Sequence, residues 1–151
     1  MKKLALMLIP LALFTSCNQS KKNIRMYVEY NPSGELVRRP PNDMYHFGVT
    51  DQIDSVFYVG VDTCSACIKL NEDLTKWCQK NKGMIYYIPF DWINEGNLHF
   101  IEEATEGPFQ WQDNQRLPVV YFFTKGSVLV STDEKNTIKT LNSTVGVNIP
   151  E

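Results

Sequence analysis

Two cysteines lie where an apolar strand gives way to an amphipathic helix, and this junction constrains the fold more than any other part of the sequence. Residues 55–61 form a near-continuous run of β-branched and aromatic side chains, which is typical of a strand buried on both faces. The motif Cys64-Ser65-Ala66-Cys67 follows, and apolar residues then recur at spacings of three and four up to residue 80. This periodicity predicts a helix with one buried face and places Cys64 at its N-terminus.

The position of Cys64 predicts a reactive thiol. Free backbone N–H groups and the positive end of the helix dipole favour an anion at a helix N-terminus, so Cys64 is the expected thiolate, with a pKa below its ordinary value. Cys67 follows three residues later on the same helix face, within bonding reach, and is the expected resolving thiol. Cys64 and Cys67 are therefore the predicted catalytic residues of thiol-disulfide exchange. No dissociable cofactor is expected, because the cysteine pair itself carries the two electrons.

Strands and helices alternate in the rest of the chain. Beyond the cysteine motif, strands are predicted over residues 84–90, 117–123 and 128–131, and helices over residues 95–104 and 133–145. Residues 106–115 read as a polar loop. The order of these elements predicts an α/β fold with a central mixed sheet flanked by helices. Its first part is a parallel crossover, and a C-terminal hairpin adds antiparallel strands.

The N-terminal part of the body is expected to form a hairpin. Residues 26–30 and 35–38 are plausible strands, and Asn31-Pro32-Ser33-Gly34 between them is a strong turn signal. Residues 43–54 contain enough apolar side chains for a short helix but show little periodicity.

A later segment strengthens the interpretation of the cysteine motif. The succession of strand, Cys-x-x-Cys and helix, together with residues 116–123 (Arg-Leu-Pro-Val-Val-Tyr-Phe-Phe), resembles the thioredoxin family. The resemblance covers about residues 54–145 and implies a thioredoxin-like fold. In that family the proline that opens the later strand is cis and faces the cysteine pair, and the residue before it pairs its backbone with extended substrate. The resemblance thus implies substrate-binding roles for Pro118 and Leu117.

The sequence departs from the family pattern near the cysteines. Thr63 stands where thioredoxins carry Trp, and Ser65-Ala66 replaces their Gly-Pro dipeptide. Tyr58 stands six residues before the first cysteine, where the family keeps a buried Asp that assists proton transfer. These differences argue against housekeeping reduction in the cytoplasm. They leave open whether the chain acts as an oxidant, a reductant or an isomerase.

The first residues resemble an export signal. Met1-Lys2-Lys3 precedes an apolar run of residues 4–14, which is too short to span a bilayer, and Thr15-Ser16-Cys17 follows, as in the lipobox of bacterial lipoproteins. We therefore expect a signal peptide over residues 1–16, and a lipidated Cys17 with a tether over residues 17–25. Residues 26–151 would then form a thioredoxin-like domain with an N-terminal hairpin extension. A simple secretory signal and an uncleaved anchor are the alternatives.

If the protein is exported, its location and its partners can be predicted. The lipid on Cys17 would hold the protein at the extracytoplasmic face of a bacterial membrane. Exported cysteine-containing proteins are then the expected substrates, and a separate membrane redox partner would recharge the cysteine pair. Removing residues 1–16 takes away two of the 15 basic residues and none of the 17 acidic ones. The resulting acidic balance argues against nucleic acid as a partner.

Other readings of the cysteines remain open. The pair could be half of a zinc site, which needs two further ligands. The candidates are His46, His99 and Cys78, and their spacing matches no zinc motif, so no metal is expected. It could also be a static disulfide. Cys78 falls on the apolar helix face, where a buried free thiol is expected.

Two further functional alternatives follow from the exported form. One is a non-catalytic accessory or binding lipoprotein, because the chain also resembles the thioredoxin-like bacteriocin transport accessory proteins. The other is a thiol-dependent maturation factor for haem proteins or metallochaperones. A Cys64→Ser variant distinguishes them, since the binding module alone would tolerate it.

Overall fold

A five-stranded mixed sheet forms the centre of the fold in the computed structural model, which describes residues 25–105, 117–125, 127–131 and 134–151. In chain order the strands are β1 (Met26–Glu29), β2 (Val37–Arg38), β3 (Ser55–Gly60), β4 (Tyr86–Pro89), β5 (Val119–Thr124), β6 (Ser127–Ser131) and β7 (Val145–Asn148). The sheet order is β2-β4-β3-β5-β6, with β2, β4 and β3 parallel and β5 and β6 antiparallel to their neighbours. The predicted mixed sheet with an antiparallel C-terminal hairpin is confirmed.

Helices cover both faces of this sheet. They are α1 (Pro41–Tyr45), α2 (Ser65–Asn81), α3 (Leu98–Thr105) and α4 (Glu134–Thr144), with a π-helical turn at His46–Thr50 and a 3₁₀ turn at Phe90–Trp92. The long helix α2 ends at Asn81, close to the predicted end at residue 80. Lys82 caps it with a positive φ of 57°, and its N–H donates to the carbonyl of Cys78. None of the helices in these described ranges is long and apolar enough to cross a membrane.

The N-terminal hairpin prediction is wrong. The strand β1 pairs in parallel with β7, with Met26 opposite Val145, whereas β2 joins the edge of the five-stranded sheet beside β4. The turn is present, with Gly34 at φ 65° and Asn31 hydrogen-bonded within it, but the strands on its two sides belong to different sheets. A turn fixes the local path of the chain, and the apolar faces left uncovered elsewhere decide which strands pair. The strand β7 was not predicted at all.

Two clusters of buried side chains sandwich the sheet. On one face, Leu70 and Leu74 of α2 and Leu141 of α4 pack with Met26 of β1. On the other face, Met44 of α1 and Ile101 of α3 lie over Phe57. Each cluster takes alternate residues of β3, which explains why all six residues of this strand are buried.

Several predictions concern residues outside the described ranges. They are the signal peptide over residues 1–16, the lipidated Cys17 with most of its tether, and the polar loop over residues 106–115.

Candidate active site

The Cys64 thiol caps the N-terminus of α2. Cys64 has extended backbone angles (φ −85°, ψ 124°), and its Sγ accepts the backbone N–H of Cys67 at 3.4 Å. Ser, Thr or Asp usually supplies this acceptor through an oxygen. Here a partly exposed sulfur receives it, so a developing negative charge on Cys64 meets a donor that is already in place.

The two thiols of the motif differ in acidity. Hydrogen bonds from the Cys67 side chain and from the backbone N–H groups of Cys67 and Ala66 lower the pKa of Cys64. Burial raises the pKa of Cys67 to about 11, and this residue is only 1% exposed. Both are free thiols. The arrangement therefore offers one accessible, acidified sulfur beside one buried, protonated sulfur.

The segment Leu117-Pro118 lies at the same end of the sheet as the cysteine motif. Its peptide bond is cis, which confirms that expectation for Pro118. The next residue, Val119, pairs with Val59 near the end of β3, and the chain reaches Cys64 a few residues after that strand. Pro118 is buried, and Leu117 is half-buried against the cluster on the α1 and α3 side. Antiparallel pairing of β3 and β5 thus brings the two segments to the same end of the sheet.

Comparison with solved structures agrees with this overall fold. Thioredoxin O2 from Arabidopsis thaliana in its oxidized state aligns with a TM-score of 0.51 and 17% identity, over 74% of this chain and 96% of that one. Thioredoxin O1 from the same plant aligns with a TM-score of 0.52 and 16% identity, over 72% and 96%. The chain has a thioredoxin-like fold. At these identities the likeness concerns the fold alone, and neither a protein-family model nor a curated protein matches the sequence.

A pair of tyrosines lies behind the cysteines of this thioredoxin-like fold. Tyr58 on β3 and Tyr87 on β4 stack with their ring centroids 5.0 Å apart and their planes 20° apart. The Tyr58 hydroxyl donates to the carbonyl oxygen of Cys67 at 3.0 Å, and the Tyr87 hydroxyl donates to Asp62 Oδ1 at 2.9 Å. Sequence reasoning recognised Tyr58 only as a departure from the family. Its position six residues before Cys64, on a strand buried on both faces, was the available signal.

A polar cavity of about 330 Å³ adjoins the buried thiol. Tyr58 and Cys67 line its inner part, and Asp62 and Glu72 are exposed residues on its wall. The Asp62 side chain is 72% exposed and lies 3.9 Å from the guanidinium of Arg38. Asp62 is therefore a solvated acid of the cavity rim, and its described hydrogen bond is to Tyr87 rather than to Cys64.

The remaining metal-ligand candidates lie in other parts of the thioredoxin-like fold. Cys78 is fully buried on the inner face of α2, where burial raises its pKa to about 12. The rings of His46 and His99 pack against Phe100 of α3, with centroids 6.4 Å and 4.0 Å away. Within the described ranges, no three side chains of His, Cys, Asp or Glu come close enough together to hold a metal ion.

Proposed function

We propose that this protein is a thiol-disulfide oxidoreductase that acts on exported cysteine-containing proteins outside the cytoplasm. The observation that carries the proposal is the contrast between the two thiols on the first turn of α2. Cys64 is partly exposed and acidified by hydrogen bonds, whereas Cys67 is buried and protonated. Disulfide exchange requires an accessible nucleophile with a lowered pKa and, beside it, a second thiol that can displace the substrate.

The reaction begins with the Cys64 thiolate. It attacks one sulfur of a substrate disulfide, so that a mixed disulfide forms and the other substrate sulfur leaves as a thiolate that takes up a proton. The substrate backbone lies along Leu117, beside the buried Pro118, in an extended conformation. Cys67 then attacks Cys64, which forms the Cys64–Cys67 disulfide and releases the second substrate sulfur. The same steps run backwards when the oxidised protein meets a dithiol.

The sequence of the first 17 residues supports membrane anchoring. Cleavage before Cys17 and lipidation of its thiol would hold the domain at the extracytoplasmic face of a bacterial membrane. A membrane redox partner would then recharge the cysteine pair after each turnover. Membrane fractionation tests this part: the protein with Cys17 is expected in the membrane fraction and a Cys17→Ala variant is not. Equal membrane retention of both proteins contradicts lipid anchoring.

Trapping of mixed disulfides tests the exchange activity. A Cys67→Ser variant keeps the nucleophile and lacks the resolving thiol, so in its native host it should accumulate covalent adducts with client proteins. Non-reducing gels and mass spectrometry would detect and identify them. The matched control is the double variant Cys64→Ser/Cys67→Ser, which should trap nothing.

The opposite outcome has a clear meaning. If Cys67→Ser forms no adducts and Cys64→Ser retains full function in the host, the exchange activity is refuted. The chain would then act as a non-catalytic accessory lipoprotein.

A further inference from the structure

We propose that Tyr58 is a positioning residue for the resolving step, because its hydroxyl is held where it can donate a hydrogen bond to the Cys67 sulfur as this thiol ionises. The inference rests on the proposed function and concerns its second half, the attack of Cys67 on the mixed disulfide. It assigns a role to the residue that replaces the buried acid of thioredoxins.

The position of the hydroxyl is fixed by its surroundings. Tyr58 is 1% exposed, and its hydroxyl donates to the carbonyl oxygen of Cys67 at 3.0 Å. Tyr58 and Cys67 also line the same cavity. Gly60 leaves the necessary room, since a Cβ at this position would overlap the Tyr58 hydroxyl. The Tyr87 ring stacks on the Tyr58 ring. The Tyr87 hydroxyl in turn hydrogen-bonds the carbonyl oxygen of Gly60 at 3.3 Å and Asp62 Oδ1 at 2.9 Å.

The chemistry of a buried phenol makes Tyr58 a donor and not a base. Burial raises the pKa of Tyr58 well above its ordinary value, so the hydroxyl keeps its proton throughout the working range of pH. It therefore cannot take the proton of Cys67. It can stabilise the thiolate that remains when the proton leaves. Burial raises the pKa of Cys67, and hydrogen bonds from the Val61 backbone and, to a smaller extent, from Tyr58 oppose this effect.

The proton balance of the step is simple. The Cys67 thiol loses its proton to solvent in the adjoining cavity, and the hydroxyl of Tyr58 turns from the Cys67 carbonyl to donate to the resulting thiolate. The thiolate attacks the Cys64 sulfur, the Cys64–Cys67 bond forms, and the bond from Cys64 to the substrate breaks. The departing substrate thiolate takes up a proton from solvent, so no further reactant is required.

Other titratable and charged groups surround the same thiol. Cys64 caps α2 and Glu72 lies on it with Cys67. The neighbouring elements contribute Tyr58, Tyr87, Asp62 and Arg38. Hydrogen bonds from the Val61 backbone and from Tyr58 lower the pKa of Cys67, whereas Cys64 raises it. Because Cys64 is part of the mixed disulfide during the resolving step, Tyr58 is the side-chain donor that can act on the sulfur, beside the backbone N–H of Val61.

Reaction of the reduced protein with Ellman's reagent separates the two halves of the exchange. The full chain carrying Cys17→Ser is used, so that the lipidation thiol does not react. Attack by Cys64 releases the first thionitrobenzoate in a phase whose rate depends on reagent concentration. Attack by Cys67 on the mixed disulfide releases the second in a phase that does not. Both phases are recorded by absorbance as a function of pH.

Removal of the single hydroxyl is expected to act on the second phase. In Tyr58→Phe we expect this phase to be about tenfold slower at neutral pH, and the midpoint of its pH profile to move up by about one pH unit, because a hydrogen bond to a charged group is lost. A Gly60→Ala variant, which displaces the hydroxyl, should change the profile in the same direction. Tyr121→Phe is the control, because it removes another buried hydroxyl in the opposite cluster and should leave both phases unchanged.

The outcomes of this experiment separate the two proposals. An unchanged second phase and pH midpoint in a folded Tyr58→Phe protein overturn the role of Tyr58 and leave the exchange activity standing. If the first phase in the parent protein, the attack of Cys64 on the reagent, is no faster than the reaction of an ordinary thiol, the proposed function itself is contradicted. Thermal unfolding of each variant shows that the folded protein is being compared.

Discussion

The backbone N–H of Cys67 points at the Sγ of Cys64 from 3.4 Å away, so the first turn of α2 closes on a sulfur atom. The spacing of the motif and the start of the helix produce this contact together. Because the donor belongs to the rigid backbone of a helix, it is available to the thiolate without rearrangement.

Selective alkylation follows from this contact. At about pH 7.5, limiting iodoacetamide should modify Cys64 first, because its pKa is lowered, and should leave Cys67, whose pKa is about 11, and buried Cys78 largely unmodified. Mass spectrometry of proteolytic peptides from the full chain with Cys17→Ser measures the order. In the control variant Cys64→Ser, the fast phase of alkylation should disappear. Equal rates at all three cysteines would contradict the assignment.

The packing of Gly48 gives a prediction for stability. Gly48 lies in the π-helical turn, and a Cβ there would overlap the ring of Phe123 on β5. We expect Gly48→Ala to lower the free energy of unfolding by about 1–3 kcal/mol, because overpacking forces the ring or the turn to move. Urea denaturation measures the change. Gly96→Ala is the matched control, since its Cβ would meet only the side chain of Asn94, and a change within about 0.5 kcal/mol is expected.

The pairing of β1 with β7 gives a second prediction for stability. Met26 on β1 is 1% exposed in the cluster beneath α2 and α4, whereas Leu129 on the edge strand β6 is 55% exposed. Met26→Ala should therefore cost about 2–5 kcal/mol, and Leu129→Ala should change the stability by less than about 0.5 kcal/mol. The midpoints of urea unfolding provide the comparison. A small effect at Met26 would mean that β1 is not part of the core.

Alkaline pH should destabilise the protein, in part through Cys78. Its pKa rises from about 9 in an unfolded chain to about 12 in the fold, so the folded protein retains a proton that the unfolded chain releases. This contribution is complete below about pH 9 and is lost as the pH rises towards 12. Between pH 7 and pH 10 the loss through Cys78 amounts to about 1 kcal/mol.

A Cys78→Ala variant measures this share. It should be less stable than the parent at pH 7 by about 1–2 kcal/mol, because it leaves a small cavity, yet lose less stability on going to pH 10. Urea unfolding at both values gives the difference. Tyr86 and Tyr121, whose pKa values burial raises to about 12, remain in the variant and keep part of the alkaline slope. Identical slopes in the two proteins would show that the Cys78 thiol does not titrate with unfolding.

By itself, the sequence determined the place of the cysteine pair and most of the elements around it, though not β7. The run over residues 55–61 and the three-and-four spacing of α2 are local patterns, and local periodicity reflects how each element is buried. The motif at the strand–helix junction needed no distant partner to be recognised, because the capping position of Cys64 follows from neighbours in the chain.

Tertiary structure alone decided which surfaces meet. The turn at residues 31–34 is present as predicted, yet β1 pairs with β7 and not with β2. The buried face of β1, with Met26 and Val28, completes the cluster under α2 and α4. The contact of the Tyr58 hydroxyl with Cys67 likewise depends on Gly60 and on the ring of Tyr87 from another strand. Strand partners and buried hydrogen bonds are set by the faces that remain uncovered after every element has formed, and no local pattern contains that information.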